Sequence, residues 1–385
     1  MGKYIFIHGK NASLSRYELE CVFEKDVDFQ TDLFSVIETS RDIDRSVMDS
    51  LGGTIKICEV FSGDPVDLIE RKAKSDKILF AVSQYGGHEK NSAILLDIKK
   101  ELKARGHNSR FLNKDFENVS SGQLNKSMIL EKGLDMVRCF FKGQMLWGRT
   151  IFFQNIDAYS IRDYEKPKRD MKVGMLPPKL AQMMINFAKP KKDTTIYDPF
   201  CGLGTIMLEA VLRGNPIMGS DINGRMAEAT QTNLEWLSSQ LVTWSSGQPV
   251  DQNTGGPADR IFLHDATHPF PKDKFPKDLV VVTESYLGPP LLRFPNLDQE
   301  RDIFQSLHKI YSLFFAEIGH IIKSGKRLVF CFPYFRDGKS QVFYPENHIR
   351  EYEANGFKIL NKLGSLLYER QNQVVGREIV VFEKA

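Results

Sequence analysis

The sequence has little cysteine, no long apolar run and almost no net charge. Its five cysteines, Cys21, Cys58, Cys139, Cys201 and Cys331, are scattered and form no C-x-x-C pair. That argues against a disulfide framework or a zinc site and fits a reducing cytosol, so the expected location is the cytoplasm. No apolar run comes near the ~18 residues of a membrane span, and the best, 328–335, contains Pro333. The first 15 residues lack a charged stretch followed by an apolar one, so no secretory leader is expected. With 26% charged residues, 42% hydrophobic ones and 27 Phe, the chain is not largely disordered. Its 385 residues suit two or three domains at about 150 each.

The net charge of +3 conceals an uneven distribution. Residues 1–70 hold 7 Lys/Arg against 14 Asp/Glu, and residues 71–150 hold 16 against 8. Residues 151–200 hold 9 against 6, and residues 201–385 hold 20 against 21. An acidic start, a basic middle and a balanced C-terminal half follow. Solvated surface charge accounts for such blocks as readily as a polyanion partner until a motif decides.

Over residues 1–70, strands are expected at 4–8, 34–37 and 54–60, with helices at 13–23 and 65–75. A second α+β unit, 71–156, opens with a strand at 77–83. Helices at 91–105 and 121–131 follow, then paired strands at 136–141 and 150–154. The helix at 91–105 carries Lys99, Lys100, Lys103 and Arg105, and with Arg110 beyond it these are the candidate cations for a polyanion. Residues 157–193 read as a linker rich in charge and proline. From 194 to 385 short strands (194–197, 216–219, 260–264, 279–283, 327–332) alternate with helices (205–213, 223–239, 298–323, 345–355), as in βαβ units. Segments 358–363 and 378–382 read as a closing pair. The expected class is α/β, a Rossmann-like sheet preceded by small α+β domains.

The first strand of that sheet runs into Asp198-Pro199-Phe200-Cys201-Gly202-Leu203-Gly204-Thr205 and a helix. Glycines at such a turn let the backbone approach a ligand. An acid at the strand's carboxyl end can hold an ammonium and would repel a pyrophosphate. The third glycine of the dinucleotide fingerprint is also missing. The pattern favours S-adenosylmethionine (SAM) over NAD. Asp221, followed by Ile222, lies 23 residues further on, where a carboxylate can accept both ribose hydroxyls. Asp265-Ala266, after the third strand, could accept from an adenine amine. Each acid alone could be a helix N-cap; three at successive strand ends point to a cofactor.

The fourth strand ends in Glu284-Ser285-Tyr286-Leu287. Methylases of exocyclic amines place here an Asp or Asn, Pro-Pro and an aromatic. The acid and a backbone carbonyl accept the amine hydrogens and the ring stacks on the base. Glu284 could accept and Tyr286 could stack, although Glu is a methylene longer than Asp and Ser285-Tyr286-Leu287 replaces Pro-Pro-aromatic. A capping Glu and a packed Tyr form the plainer reading.

The run from Arg169 to Gln182, with Lys172-Val173-Gly174-Met175-Leu176-Pro177-Pro178 at its centre, resembles the segment preceding the catalytic domain in tRNA guanine-N2-methyltransferases that act on guanosine 10. The stretch Asp157–Tyr164 and the Asp198–Thr205 loop extend the likeness. The resemblance spans about residues 75–385 and is most specific over 157–221. It implies a ferredoxin-like domain (1–70), a THUMP-like RNA-binding domain (71–156), a linker and SAM-closing segment (157–193) and a SAM-dependent methyltransferase domain (194–385). It places Asp198, Gly202 and Gly204 at the methionine end, with Pro199, Cys201 and Thr205 of the same loop as further cofactor-binding residues. Asp221 and Ile222 fall at the ribose, Asp265 and Ala266 at the adenine, and Val173 and Pro177 in the closing segment. Glu284 falls where the family has its catalytic Asp. The implied partner is tRNA, with no metal required. Eukaryotic members use a small activator subunit and archaeal ones act alone, so such a subunit is an admissible partner. Two other readings are an amino-methylase of DNA or another RNA, and a non-catalytic RNA-binding protein that keeps a SAM-type fold. The first would be marked by DNA-reading loops, the second by loss of the cofactor acids, which are intact.

Overall fold

The computed structural model describes residues 1–385 except 26, 73–76, 88–89, 170–174, 245–259, 339 and 371–372. The chain divides into two units, Met1–Ser160 and Ile161–Ala385.

The first unit runs β1 (Gly2–His8), α1 (Ala12–Phe23), β2 (Phe29–Gln30), β3 (Phe34–Thr39), α2 (Arg45–Ser50), β4 (Thr54–Phe61), α3 (Pro65–Lys72), β5 (Lys77–Tyr85), α4 (Asn91–Ala104), β6 (Asn108–Phe111), α5 (Ser121–Ser127), α6 (Ile129–Lys132), β7 (Gly133–Phe141) and β8 (Gln144–Phe153). One sheet takes all eight strands in the order β2-β3-β1-β4-β8-β7-β5-β6. Strand alternation feeds a core on each face. Ile5 and Ile7 pack with Phe34, Val36 and Cys58, whereas Phe6 packs with Leu19, Ile37 and Ile57. The division expected between residues 70 and 71 does not interrupt this sheet, because β4 pairs with β8. On α4, Leu95, Ile98 and Leu102 are buried, and that spacing turns Lys99, Lys100 and Lys103 outward. The single helix expected over 121–131 is two, parted at Met128, whose φ of 52° is left-handed. Inside the sheet Lys56 and Asp135, both buried, form an ion pair at 3.0 Å.

The second unit contains α7 (Ile156–Tyr164), which begins before the division, α8 (Pro178–Phe187), β9 (Thr195–Asp198), α9 (Thr205–Arg213), β10 (Ile217–Asp221), α10 (Gly224–Trp244), β11 (Ile261–Leu263), β12 (Leu279–Thr283), α11 (Leu297–Ile318), β13 (Arg327–Arg336), β14 (Gln341–Phe343), α12 (Glu346–Glu351), β15 (Phe357–Ile359), β16 (Leu367–Tyr368) and β17 (Val375–Lys384). The sheet order is β11-β10-β9-β12-β13-β17-β15, with β14 on β13 and β16 on β17. Strands β11, β10, β9, β12 and β13 are parallel, and β17 is antiparallel to β13. The chain passes from β9 to β10 on one side and later fills β12 on the other, so the switch point lies at β9. Under the sheet, α11 buries Phe304, Leu307, Tyr311, Phe314, Phe315 and Ile318 against Phe330 and Phe332.

Residues 157–193, expected as a linker, hold two helices. Pro177 and Pro178 start α8 instead of breaking it, because proline at the first helical turn loses no bond. Beyond them Leu180, Met183, Met184 and Phe187 are buried.

Candidate functional site

The four acids singled out in the sequence gather at the carboxyl edge of β9, β10, β11 and β12, the edge where open α/β sheets bind ligands. Asp198, the last residue of β9, is 2% exposed. Its Oδ1 accepts the Thr283 hydroxyl at 2.6 Å and the Phe200 amide at 3.1 Å. Burial dominates and pushes the carboxyl up to about 8.

In the turn that follows, the two glycines have separate work. Gly202 has φ +53°, and a Cβ there would find only the Phe200 carbonyl oxygen, at 3.9 Å. The backbone therefore borders open space a ligand can occupy. Gly204 has φ +79°, and a Cβ would meet Thr230 Cγ2 at 2.8 Å, so glycine lets α9 start tight against α10. Pro199, Cys201 and Thr205, also expected at the cofactor, are buried like Asp198. The Thr205 hydroxyl accepts from Lys166 Nζ at 3.1 Å, and burial raises the Cys201 thiol.

Asp221 ends β10 half-buried. Its Oδ2 accepts the Gly202 amide at 3.0 Å and its Oδ1 the Asn223 amide at 2.8 Å, which ties the glycine turn to β10. Burial raises this carboxyl as well. Each carboxylate oxygen has a second lone pair for a ribose hydroxyl. Beside it Ile222 is 68% exposed, and Leu263, opposite Asp221 in the β10–β11 register, is 66% exposed. Two bare aliphatic side chains flanking an acid suit a flat apolar ring. Leu263 was not anticipated; its signal is an aliphatic residue at a strand's open end. At Asp265 burial pushes the carboxyl up, but the Thr267 amide and hydroxyl (2.9 and 2.7 Å) and His268 outweigh it and hold it below the usual range. Ala266, expected at the adenine, is buried in the core with Phe270. Val173 lies outside the described residues. Pro177 is half-buried at the start of α8, and Arg370 Nη2 donates to the Met175 carbonyl at 2.8 Å.

At the reacting end, Glu284 follows β12 and its Oε1 is bound by Arg377 Nε from β17. Arg377 is 4% exposed. Burial opposes the guanidinium's charge, but Glu284 beside it outweighs burial and raises its pKa. Arg377 escaped the sequence reading. Its signal is the charged pair Arg377-Glu378, both members buried, running straight into the apolar stretch Ile379–Phe382. Tyr286 is 48% exposed, open to stacking. Ser285 is buried, its hydroxyl 2.6 Å from the Cys331 carbonyl oxygen and 3.1 Å from the Tyr311 hydroxyl. Tyr311 in turn donates to the Tyr286 carbonyl at 2.5 Å, so Ser285 and Tyr311 fix this loop. Leu287 is half-buried.

In the first unit Lys99, Lys100, Lys103 and Arg110 are exposed. Arg105, expected among the RNA-binding cations, is exposed and ion-paired with Asp64, Asp67, Glu70 and Glu101 at 2.6–3.3 Å.

An acid-lined carboxyl edge, a glycine turn that opens at Gly202 and a sheet with antiparallel β17 define a Rossmann-like methyltransferase fold. Residues 166–251 match the family model of the RMKL-like methyltransferase domain. The tRNA (guanine(10)-N2)-dimethyltransferase of Methanocaldococcus jannaschii is 30% identical over 146 residues, 37% of this chain and 40% of that one. Its namesake from Methanothermobacter thermautotrophicus is 47% identical over 62 residues, 16% and 18% of the two chains. The yeast tRNA (guanine(10)-N(2))-methyltransferase from Saccharomyces cerevisiae is 31% identical over 94 residues, 24% and 21%. These matches support the resemblance to the tRNA guanine-10 N2-methyltransferase family. The chain matches less than half the length of these curated relatives. Among solved structures, TrmN from Thermus thermophilus covers 100% of both chains with a TM-score of 0.51 and 15% identity, a likeness of fold. Among the described residues no helix is long and apolar enough to cross a membrane.

Proposed function

We propose that the chain is a SAM-dependent tRNA methyltransferase acting on the exocyclic N2 of a guanosine, position 10 by its resemblance. The observation that carries this reading is the gathering of Asp198, Asp221, Asp265 and Glu284 at one sheet edge, beside the open backbone of Gly202.

The residues present fit SAM. Asp198 would hold the ammonium of its methionine end, Asp221 its ribose, and Ile222 and Leu263 would flank its adenine. When bound, SAM supplies a methyl group on a sulfonium. The chain's part is orientation. Glu284 accepts a hydrogen of the amine, which turns the nitrogen lone pair to the methyl, while Tyr286 stacks on the base. The target base leaves its stack to reach such a pocket. Exposed Lys99, Lys100 and Lys103 would bind tRNA phosphates in a THUMP-like unit, without reading sequence. The cytoplasm is the proposed setting.

Incubation with labelled SAM and unmodified tRNA, followed by nucleoside analysis, tests this. Label in N2-methylguanosine is expected. Normal SAM binding without label in tRNA would overturn it, and activity of the chain alone would dispense with an activator subunit.

A further inference from the structure

We propose that Arg377 is a positioning residue for this reaction: it holds one oxygen of Glu284 so that the other faces the nitrogen to be methylated. The inference rests on the role given to Glu284 above.

Geometry carries it. β17 is separated from β12 by β13, so Arg377 and Glu284 must meet across an intervening strand. Arg377 stands opposite Pro333 in the β13–β17 register, level with the stretch of β13 that outlasts its pairing with β12. Only two long side chains close that gap. The methylene by which Glu284 exceeds the aspartate of related methylases is the length that lets its carboxylate reach the guanidinium. Among the described residues the Glu284 carboxylate has no other hydrogen-bond partner, so Oε1 is committed to Arg377 and Oε2 remains for the substrate. Burial makes the tie strict. A guanidinium this enclosed cannot turn to water, so it fixes the carboxylate in one place instead of sampling several. Asp198 and Cys331 also interact electrostatically with Glu284, and neither could replace the contact.

The test uses the full chain with labelled SAM and unmodified tRNA, comparing Arg377→Met, Arg377→Lys, Glu284→Asp and the double variant Glu284→Asp/Arg377→Met. Arg377→Met should lower kcat about 100-fold, the cost of misplacing a reacting group by about an ångström. Its affinity for SAM should stay within about twofold of the parent. Arg377→Lys should recover part of the loss. Glu284→Asp, too short to reach, should lose about as much as Arg377→Met, and the double variant should lose no more than either. A near-parental kcat in Arg377→Met, or losses that multiply in the double variant, would overturn the role. If Arg377→Met does not fold, Arg377→Lys completes the same cycle with Glu284→Asp. A parent chain that binds SAM and transfers nothing removes the methyltransferase reading itself, whereas an active parent indifferent to Arg377 removes only this inference.

Discussion

The Thr283 hydroxyl donates to Asp198 Oδ1 at 2.6 Å, across neighbouring strands β12 and β9. One bond thus joins the acid assigned to the ammonium to the strand that presents Glu284. Asp198 is raised to about 8 by burial. A carboxyl raised on folding stabilises the protein fully below its unfolded value near 4, and that contribution is lost as pH climbs through the folded value. The ligand-free chain should therefore lose melting temperature, relative to Asp198→Asn, between pH 5 and 8. SAM affinity should move the other way, because an ammonium needs the ionised acid. Calorimetric titration from pH 6 to 8 should show tightening, flattened in Asp198→Asn and displaced to higher pH in Thr283→Val.

Asp221 and Glu284 should separate binding from transfer. Asp221→Ala removes the acceptor for two backbone amides as well as for the ribose, so SAM affinity should fall about tenfold or more. Glu284→Ala should leave SAM affinity within about twofold and take transfer below detection. It also strands Arg377, so its stability should fall by about 3 kcal/mol. A fully active Glu284→Ala would remove this residue from the chemistry.

The basic unit makes a contrast between cations. Neutralising Lys99, Lys100 and Lys103 together should weaken tRNA binding and flatten the dependence of log K on log salt, because each phosphate contact releases counterions. Arg105→Ala should leave that slope unchanged and lower the melting temperature, since its partners are Asp64, Asp67, Glu70 and Glu101. An unchanged slope in the triple variant would put the RNA surface elsewhere.

Lys56 and Asp135 supply a prediction about stability alone. Lys56→Met leaves a buried carboxylate unpaired and should cost about 3–5 kcal/mol in denaturant unfolding. Lys56→Met/Asp135→Leu should recover most of it, because two apolar groups need no partner.

Periodicity and punctuation made the parallel sheet readable, down to Leu279–Thr283, whose bounds fall where expected. Asp198, Asp221 and Asp265 were readable because each sits where an apolar run stops. What escaped depended on partners distant in sequence. The Arg377–Glu284 contact spans 93 residues. Thr205 is legible as part of a motif, but only the fold shows that Lys166, 39 residues earlier, reaches its hydroxyl. The helix α8 hid behind its prolines, which ordinarily signal a break. The ion pairs of Arg105 with Asp67 and Glu70 of α3 were equally hidden, since the partners lie 38 and 35 residues away.

The pairing of β4 with β8 sets an order of events in synthesis. Glu59 and Arg149, 90 residues apart, meet across these strands. The early strands β1, β3 and β4 therefore leave the ribosome with one edge of β4 bare, and the edge stays bare until β8 has been made. An exposed strand edge is a template for pairing with other chains. Chains truncated near residue 70 should aggregate, whereas those released near residue 160 should stay in solution, so this protein's vulnerable interval is a stretch of translation time.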